Sequence, residues 1–140
     1  MGDVYVEVEL ANYQDQVLAE HGYRDVASIR RERVRILTDT GATMLVLPQE
    51  LVERLGLGLA DQKVIVTYAD ERKEERSIAG IVTVRVGNRA AEVNCVVGPP
   101  NSEPLLGQMP LEVMDLLVDC GEHKLVPRPE SPYLPLIKLK

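Results

Sequence analysis

Ile36-Leu37-Thr38-Asp39-Thr40-Gly41-Ala42-Thr43-Met44-Leu45-Val46-Leu47 is the stretch on which the reading of this chain turns. It begins as the end of an alternating segment, Ile29–Thr38, with Val34 and Ile36 on one face, and it finishes as a short apolar run, Met44–Leu47, read as a strand. Between the two stands an acid. Asp and Gly are ordinary turn residues, so one reading is a β-turn with a solvated carboxylate. The other reading comes from the flanks. A turn hemmed in by apolar residues on both sides belongs inside a fold, and a carboxylate there must be paired, hydrogen-bonded or protonated. Gly41 lets the backbone come close to a partner.

Working outward, Val4, Val6, Val8 and Leu10 alternate with Tyr5, Glu7 and Glu9, which predicts a half-buried strand. Asn12-Tyr13 breaks it, and residues 14–21 form a short helix that stops at Gly22. On the other side of the acid, Pro48 opens a helix over 48–55, with Leu51, Val52 and Leu55 inward and Gly56 as its stop. Val64–Tyr68 and Ile78–Val86 are strands, and the charged stretch Asp70–Arg76 is placed at the tip of an exposed hairpin between them. The turn at Gly87-Asn88 leads into a strand over Ala91–Val97. Then come a loop, Leu105-Leu106-Gly107, and a helix predicted over Pro110–Leu116. Leu117–Cys120 and Lys124–Val126 flank a turn at Gly121-Glu122. Pro127–Pro135 is expected to be extended, and Leu136–Lys140 alternates as a terminal strand.

Composition agrees with a mainly β protein. The chain has no Phe and no Trp, and its apolar weight falls on Val, Leu and Ile. Its 140 residues suit one domain: a strand and helical insertion over 1–28, a core over 29–126 and a Pro-rich tail with a strand over 127–140. A net charge of −6 without a Lys/Arg block argues against nucleic acid as a partner. Met1-Gly2 runs straight into the first alternating segment, without the basic and apolar regions of a leader. Val6 stands where a myristoylation site has Ser or Thr. No apolar run is long enough to span a bilayer. The expectation is a cytoplasmic protein with reduced thiols and no membrane partner. Cys95 and Cys120 make no disulfide framework, and Cys95, in an apolar strand, reads as a core residue. His21 and His123 fall in no metal-binding spacing, and there is no G-x-S-x-G and no glycine-rich phosphate loop. No metal and no cofactor is expected.

Taken together, Ile36–Ala42, the following short strand, the hairpin over 64–80 and Leu105-Leu106-Gly107 leading into a helix resemble the retropepsin family, the single-domain aspartic proteases of retroviruses and their cellular and bacterial relatives. The resemblance spans about residues 29–120. It implies a closed β-barrel of the acid protease type with one or two short helices. It implies that Asp39 is the catalytic acid, that the Thr40 hydroxyl locks two loops across a dimer axis, and that Gly41 and Ala42 support the acid. It further implies that Leu105, Leu106 and Gly107 pack against the loop, and that residues 64–80 are a flap whose Tyr68, Ala69 and Asp70 approach substrate. Tyr68 could equally pack within its own hairpin.

The sequence holds a single Asp-Thr-Gly. Two carboxylates must face one water in this chemistry, and like charges that close cannot both ionise, so they share a proton. The second acid therefore has to come from another subunit, and a two-fold axis is the economical arrangement. The implied activity is a homodimeric endopeptidase acting on polypeptides; the alternative is a non-catalytic dimerisation or peptide-binding module of the same fold. Some positions depart from the family pattern. Thr38 precedes the acid where an apolar residue is usual, and Thr43 and Gln108 stand where retroviral enzymes have an Asp and an Arg in a structural ion pair. Both charges are missing together, so a neutral hydrogen bond or no contact is expected there. The flap lacks the usual glycines.

Overall fold

A computed structural model describes residues 3–139; Met1, Gly2 and Lys140, on which the leader, myristoylation and terminal-strand readings partly fall, lie outside the described residues. The strands are β1 (Val4–Asn12), β2 (Arg31–Thr38), β3 (Leu45–Pro48), β4 (Gly58–Thr67), β5 (Lys73–Val86), β6 (Arg89–Gly98), β7 (Leu105–Leu106), β8 (Leu116–Asp119) and β9 (Lys124–Pro127). The helices are α1 (Tyr13–Glu20), α2 (Gln49–Leu55) and α3 (Gln108–Met114), with one 3₁₀ turn over Val26–Ser28. The fold is thus mainly β, as expected, with three short helices rather than one or two.

Seven strands form one sheet in the order β1-β2-β7-β3-β6-β5-β4, and β1 also pairs with β5. That extra pairing, Glu9–Asn12 against Val82–Arg85, closes the sheet on itself and leaves β4 as an arm attached to the first half of β5. The period of two sorts the side chains. Val8, Leu10, Ile36, Leu45, Leu47, Ala79, Val82, Val84, Ala91, Cys95 and Leu106 point inward and meet Leu51 and Leu55 of α2 and Leu111 and Met114 of α3 in one core. This core is almost entirely aliphatic, as the absence of Phe and Trp requires. Burial pushes the Cys95 thiol up to about 12, which makes it packing material and not a nucleophile.

Several boundaries differ from the sequence reading, each for a local reason. The exposed hairpin is longer than expected. Its tip is only Tyr68–Arg72, closed by bonds from the Tyr68 N–H to the Arg72 carbonyl and from the Glu71 N–H to the Tyr68 carbonyl. The charged residues Lys73–Arg76 continue β5, paired with Val64–Thr67. The helix α3 begins at Gln108, ahead of Pro110, and ends at Asp115 in the left-handed region (φ 58°). Residues 136–139 form no strand: the Leu136 N–H, which a ladder would need, is taken by the Asp115 carboxylate. Residues 127–135 are not uniformly extended, because the Ser131 N–H turns back onto the Arg128 carbonyl.

Two polar knots hold the periphery. Asn12 accepts the Asp15 N–H as the N-cap of α1, and its amide donates to the Leu55 and Gly56 carbonyls at the end of α2. Asp15, only 2 % exposed, takes the Arg30 backbone N–H and the Arg24 and Arg30 guanidinium groups. The hydrogen bond from Arg30 is the main reason its carboxyl lies below the usual carboxylate range. At the other end, buried Arg89 donates to the Met114 and Asp115 carbonyls at the C-terminus of α3 and to the Ser131 carbonyl. Asp115 accepts the Ser131 hydroxyl, the Leu136 N–H and Arg128, with the same downward effect on its carboxyl, led by the Ser131 hydroxyl. Sequence spacing announced neither knot.

Candidate active site

Asp39 follows the last residue of β2, and its surroundings are fixed by the main chain. The two-residue strand β7 lies between β2 and β3, parallel to β2 and antiparallel to β3. The Leu37 N–H donates to the Pro104 carbonyl, and the Asp39 N–H to the Leu106 carbonyl at 2.9 Å. The turn closes with the Ala42 N–H on the Asp39 carbonyl, and the Gly41 N–H donates to Asp39 Oδ1 at 2.9 Å. Asp39 is half-buried, and Thr40 and Gly41 are exposed. A Cβ on Gly41 would lie 3.1 Å from Asp39 Oδ1, so glycine keeps the carboxylate close to its own turn.

The next link is α3. The first N–H groups of a helix have no partner within it, and α3 has no side-chain cap. The Asp39 turn supplies one instead: the Gln108 N–H donates to the Ala42 carbonyl and the Met109 N–H to the Thr43 carbonyl, both at 2.8 Å. Pro110, with no N–H to place, sits in the same first turn without cost. Where an ion pair between Thr43 and Gln108 positions is missing, these backbone bonds join the same two segments. The Gln108 side chain instead donates to Glu112 on its own helix. Gly107 makes the approach possible, because a Cβ there would overlap the Met44 carbonyl oxygen and lie 2.8 Å from that of Ala42. Thr38, the other departure, is buried, and its hydroxyl donates to the Val4 carbonyl at 2.9 Å. The polar group thereby anchors β1 beside the acid.

The strand β7 thus bonds to Asp39 through the Leu106 carbonyl, and Gly107 packs against the Ala42 and Met44 carbonyls. Tyr68, Ala69 and Asp70 lie elsewhere, at the tip of the β4–β5 hairpin. The Arg72 guanidinium stands 4.4 Å over the Tyr68 ring, and Asp70 accepts the Arg72 N–H.

Register reveals a further feature. Leu37 pairs with Leu105, Leu105 with Val46, Val46 with Val96 and Val96 with Ile78. Directly paired residues share a sheet face, so these five form a continuous apolar row on the face opposite the core. Asp39, two residues beyond Leu37, continues that face. The row escaped the sequence reading because its members come from five strands and each looks like ordinary core; pairing alone aligns them. A hollow of about 520 Å³ lies between α1 and the base of the hairpin, against Tyr13, Val17, Leu59 and Ile81, but none of its lining residues belongs to the Asp39 turn.

Among the described residues no group of His, Cys, Asp and Glu is arranged to hold a metal ion, and no helix is long and apolar enough to cross a membrane. Comparison with curated proteins gave no match. A family model described as aspartyl protease matches residues 26–109, well over half of the chain and the whole of the segment from the 3₁₀ turn to the start of α3. The acid turn, the Leu-Leu-Gly strand wedged beside it and this match lead to one conclusion: the chain belongs to the retropepsin-like aspartyl protease family.

Proposed function

We propose that this protein is an aspartic endopeptidase that acts as a homodimer, each chain providing one Asp39 to a shared site. The observation that carries this reading is a single acid on a turn bonded through main chain to β7 and α3, followed by exposed Thr40 and Gly41 where a second copy can meet it. A hydrolytic pair needs two carboxylates, and the sequence holds one such motif. In the dimer the two acids share a proton. The ionised member takes a proton from a water placed between them as its oxygen adds to the scissile carbonyl carbon. The protonated member donates to the carbonyl oxygen. Collapse of the tetrahedral diol breaks the C–N bond: the departing amine takes the proton that came from the water, and one diol hydroxyl returns a proton to the other carboxylate, which restores the shared-proton pair. Thr40 hydroxyls link the two turns across the axis, and Gly41 and Ala42 keep the carboxylates coplanar. The apolar row receives the side chains of an extended polypeptide, and the β4–β5 hairpin closes over it as a flap. In this reading residues 1–140 form one domain, with β1, α1 and the 3₁₀ turn as an N-terminal addition to the protease core.

Asp39→Asn tests the proposal. It keeps the shape of the side chain and the Gly41 bond but removes the shared proton chemistry. Cleavage of an unfolded protein at mildly acidic pH should fall by about a thousandfold or more, while sedimentation still reports a dimer. Excess Asp39→Asn chains should also depress wild-type activity by forming mixed dimers. Undiminished cleavage by Asp39→Asn would reject the assignment. A wild-type dimer that binds peptides and cleaves none would instead mark a binding module.

A further inference from the structure

The face that carries Asp39 and the apolar row does not end at Ile78. From Lys63–Ser77 to Thr67–Lys73 the β4–β5 register runs without interruption, so residues two and four before Ile78, Arg76 and Glu74, lie on the same face. Their cross-strand partners there are Val64 and Val66. Burial follows the same alternation: Val64, Val66, Glu74 and Arg76 are half-buried, whereas Lys63, Ile65, Thr67, Lys73 and Glu75 are exposed. The inward side of the hairpin therefore holds two opposite charges among valines. Arg76 is the more enclosed of the two, with 23 % of its side chain exposed against 35 % for Glu74, and it stands next to the apolar row. One end of its guanidinium is held by Glu74. Its Nε–H is shut off from solvent and has no partner among the described residues. A guanidinium held from one side presents its remaining donors in a fixed fork, the geometry that a carboxylate accepts. An enclosed donor without a partner gains from any ligand that supplies one.

We propose that Arg76 is a specificity-determining residue that receives a carboxylate side chain of the bound polypeptide, giving the enzyme a preference for Asp or Glu beside an apolar cleavage site. The inference rests on the reading of this face as the substrate cleft. Glu74 positions the guanidinium and discourages basic side chains at the same place. The protein's net charge of −6 repels acidic peptides at long range, so the preference must come from this local contact and not from the overall field.

The test uses three peptides that share an apolar cleavage site and differ at one flanking position, Glu, Gln or Lys, scanned across that flank. For the wild-type dimer kcat/KM should be about tenfold higher for the Glu peptide than for the Gln peptide, and lower still for Lys. In R76Q the Glu-to-Gln ratio should fall to about one; the double swap E74R/R76E should turn the preference toward Lys. R76K keeps the charge without the fork and should restore only part of the ratio. The same peptides are titrated by fluorescence anisotropy onto Asp39→Asn dimers with and without R76Q, with thermal melts confirming folded protein. There the Glu preference should persist and vanish with R76Q. Equal rates and equal affinities for the three peptides, with cleavage still dependent on Asp39, would overturn the role of Arg76 and leave the protease reading standing. A Glu preference in binding with no cleavage by wild type would do the reverse.

Discussion

The turn at Asp39 and the β4–β5 hairpin differ in how their backbones are held. The turn exchanges main-chain bonds with β7 and with the first turn of α3, and Gly107 is enclosed by carbonyls of the chain it packs against. Among the described residues β4 pairs with β5 alone, and most of its residues are exposed, Ile65 at 72 %. The proposed chemistry, which depends on placing an oxygen to within a fraction of an ångström, falls to the first region. The second has few long-range constraints, so it can tolerate charges such as Glu74 and Arg76 and is free to shift against the face it adjoins. Position is thus fixed at the acid turn, and variation is admitted along the hairpin.

The sharpest way to break this contrast is at Gly107. In Gly107→Ala the new methyl group meets the Met44 and Ala42 carbonyls, and the Ala42 carbonyl cannot move without releasing the Gln108 N–H. The expected loss is about 3 kcal/mol in urea unfolding, together with loss of activity. A variant as stable as the wild type would mean that β7 and the turn are not wedged together, and the contrast with the hairpin would lose its basis.

A smaller effect is expected at the start of β2, where Asp15 fixes Arg30 just ahead of the strand that ends at the acid. Removing its charge in Asp15→Asn leaves two guanidinium groups without their partner. Arg24 and Arg30 are 34 % and 45 % exposed, so water offsets much of the cost and about 2 kcal/mol is expected at neutral pH, less than for a wholly buried pair. The sign with pH is definite. The folded Asp15 carboxyl titrates below its ordinary value, so its stabilisation is complete above the unfolded value of about 3.9 and is lost as the pH falls toward the folded one. Melting temperatures of wild type and variant should therefore differ at pH 7 and converge in acid below about pH 4. Asp115 carries the same sign, so both knots hold at the mildly acidic pH proposed for cleavage.

Much of the site could be read from the sequence because its parts are local in the chain. Thr38 to Ala42 contain the acid and its turn, Pro48 and Gly56 bracket α2, and Leu105-Leu106-Gly107 announces a strand running into a helix. What could not be read depends on distant partners. The helix α3 starts two residues ahead of Pro110 because the groups that bond its first N–H groups, the Ala42 and Thr43 carbonyls, lie more than sixty residues away. Residues 136–139 alternate like a strand, yet a carboxylate at Asp115 takes the N–H that a neighbour would have used. Lys73–Arg76 reads as part of a turn in sequence because four consecutive charged residues carry no apolar alternation. An exposed strand needs only cross-strand partners, such as the Lys63–Glu75 ion pair at 3.6 Å. The row from Leu37 to Ile78 exists only in the register.

The finest test addresses the hairpin itself, at Ile65. This residue lies on the outward side of β4, paired with Glu75 and surrounded by Lys63, Thr67 and Lys73. It buries little, so Ile65→Ser should change unfolding free energy by no more than about 0.5 kcal/mol, the range for surface positions. It also leaves Val64, Val66, Glu74 and Arg76, one residue out of phase, on their own side. Selectivity among Glu, Gln and Lys peptides should therefore stay where it was, even though Ile65 adjoins Val64, the cross-strand partner of Arg76. If Ile65→Ser instead destabilised the protein by 2 kcal/mol or more, or shifted the peptide preference, the outward face of the hairpin would be packed against something, such as the second subunit. Sedimentation of that variant distinguishes the cases: a dimer weakened by Ile65→Ser would make the hairpin part of the interface, and the difference between a fixed turn and a free arm would then hold for the single chain and not for the assembly.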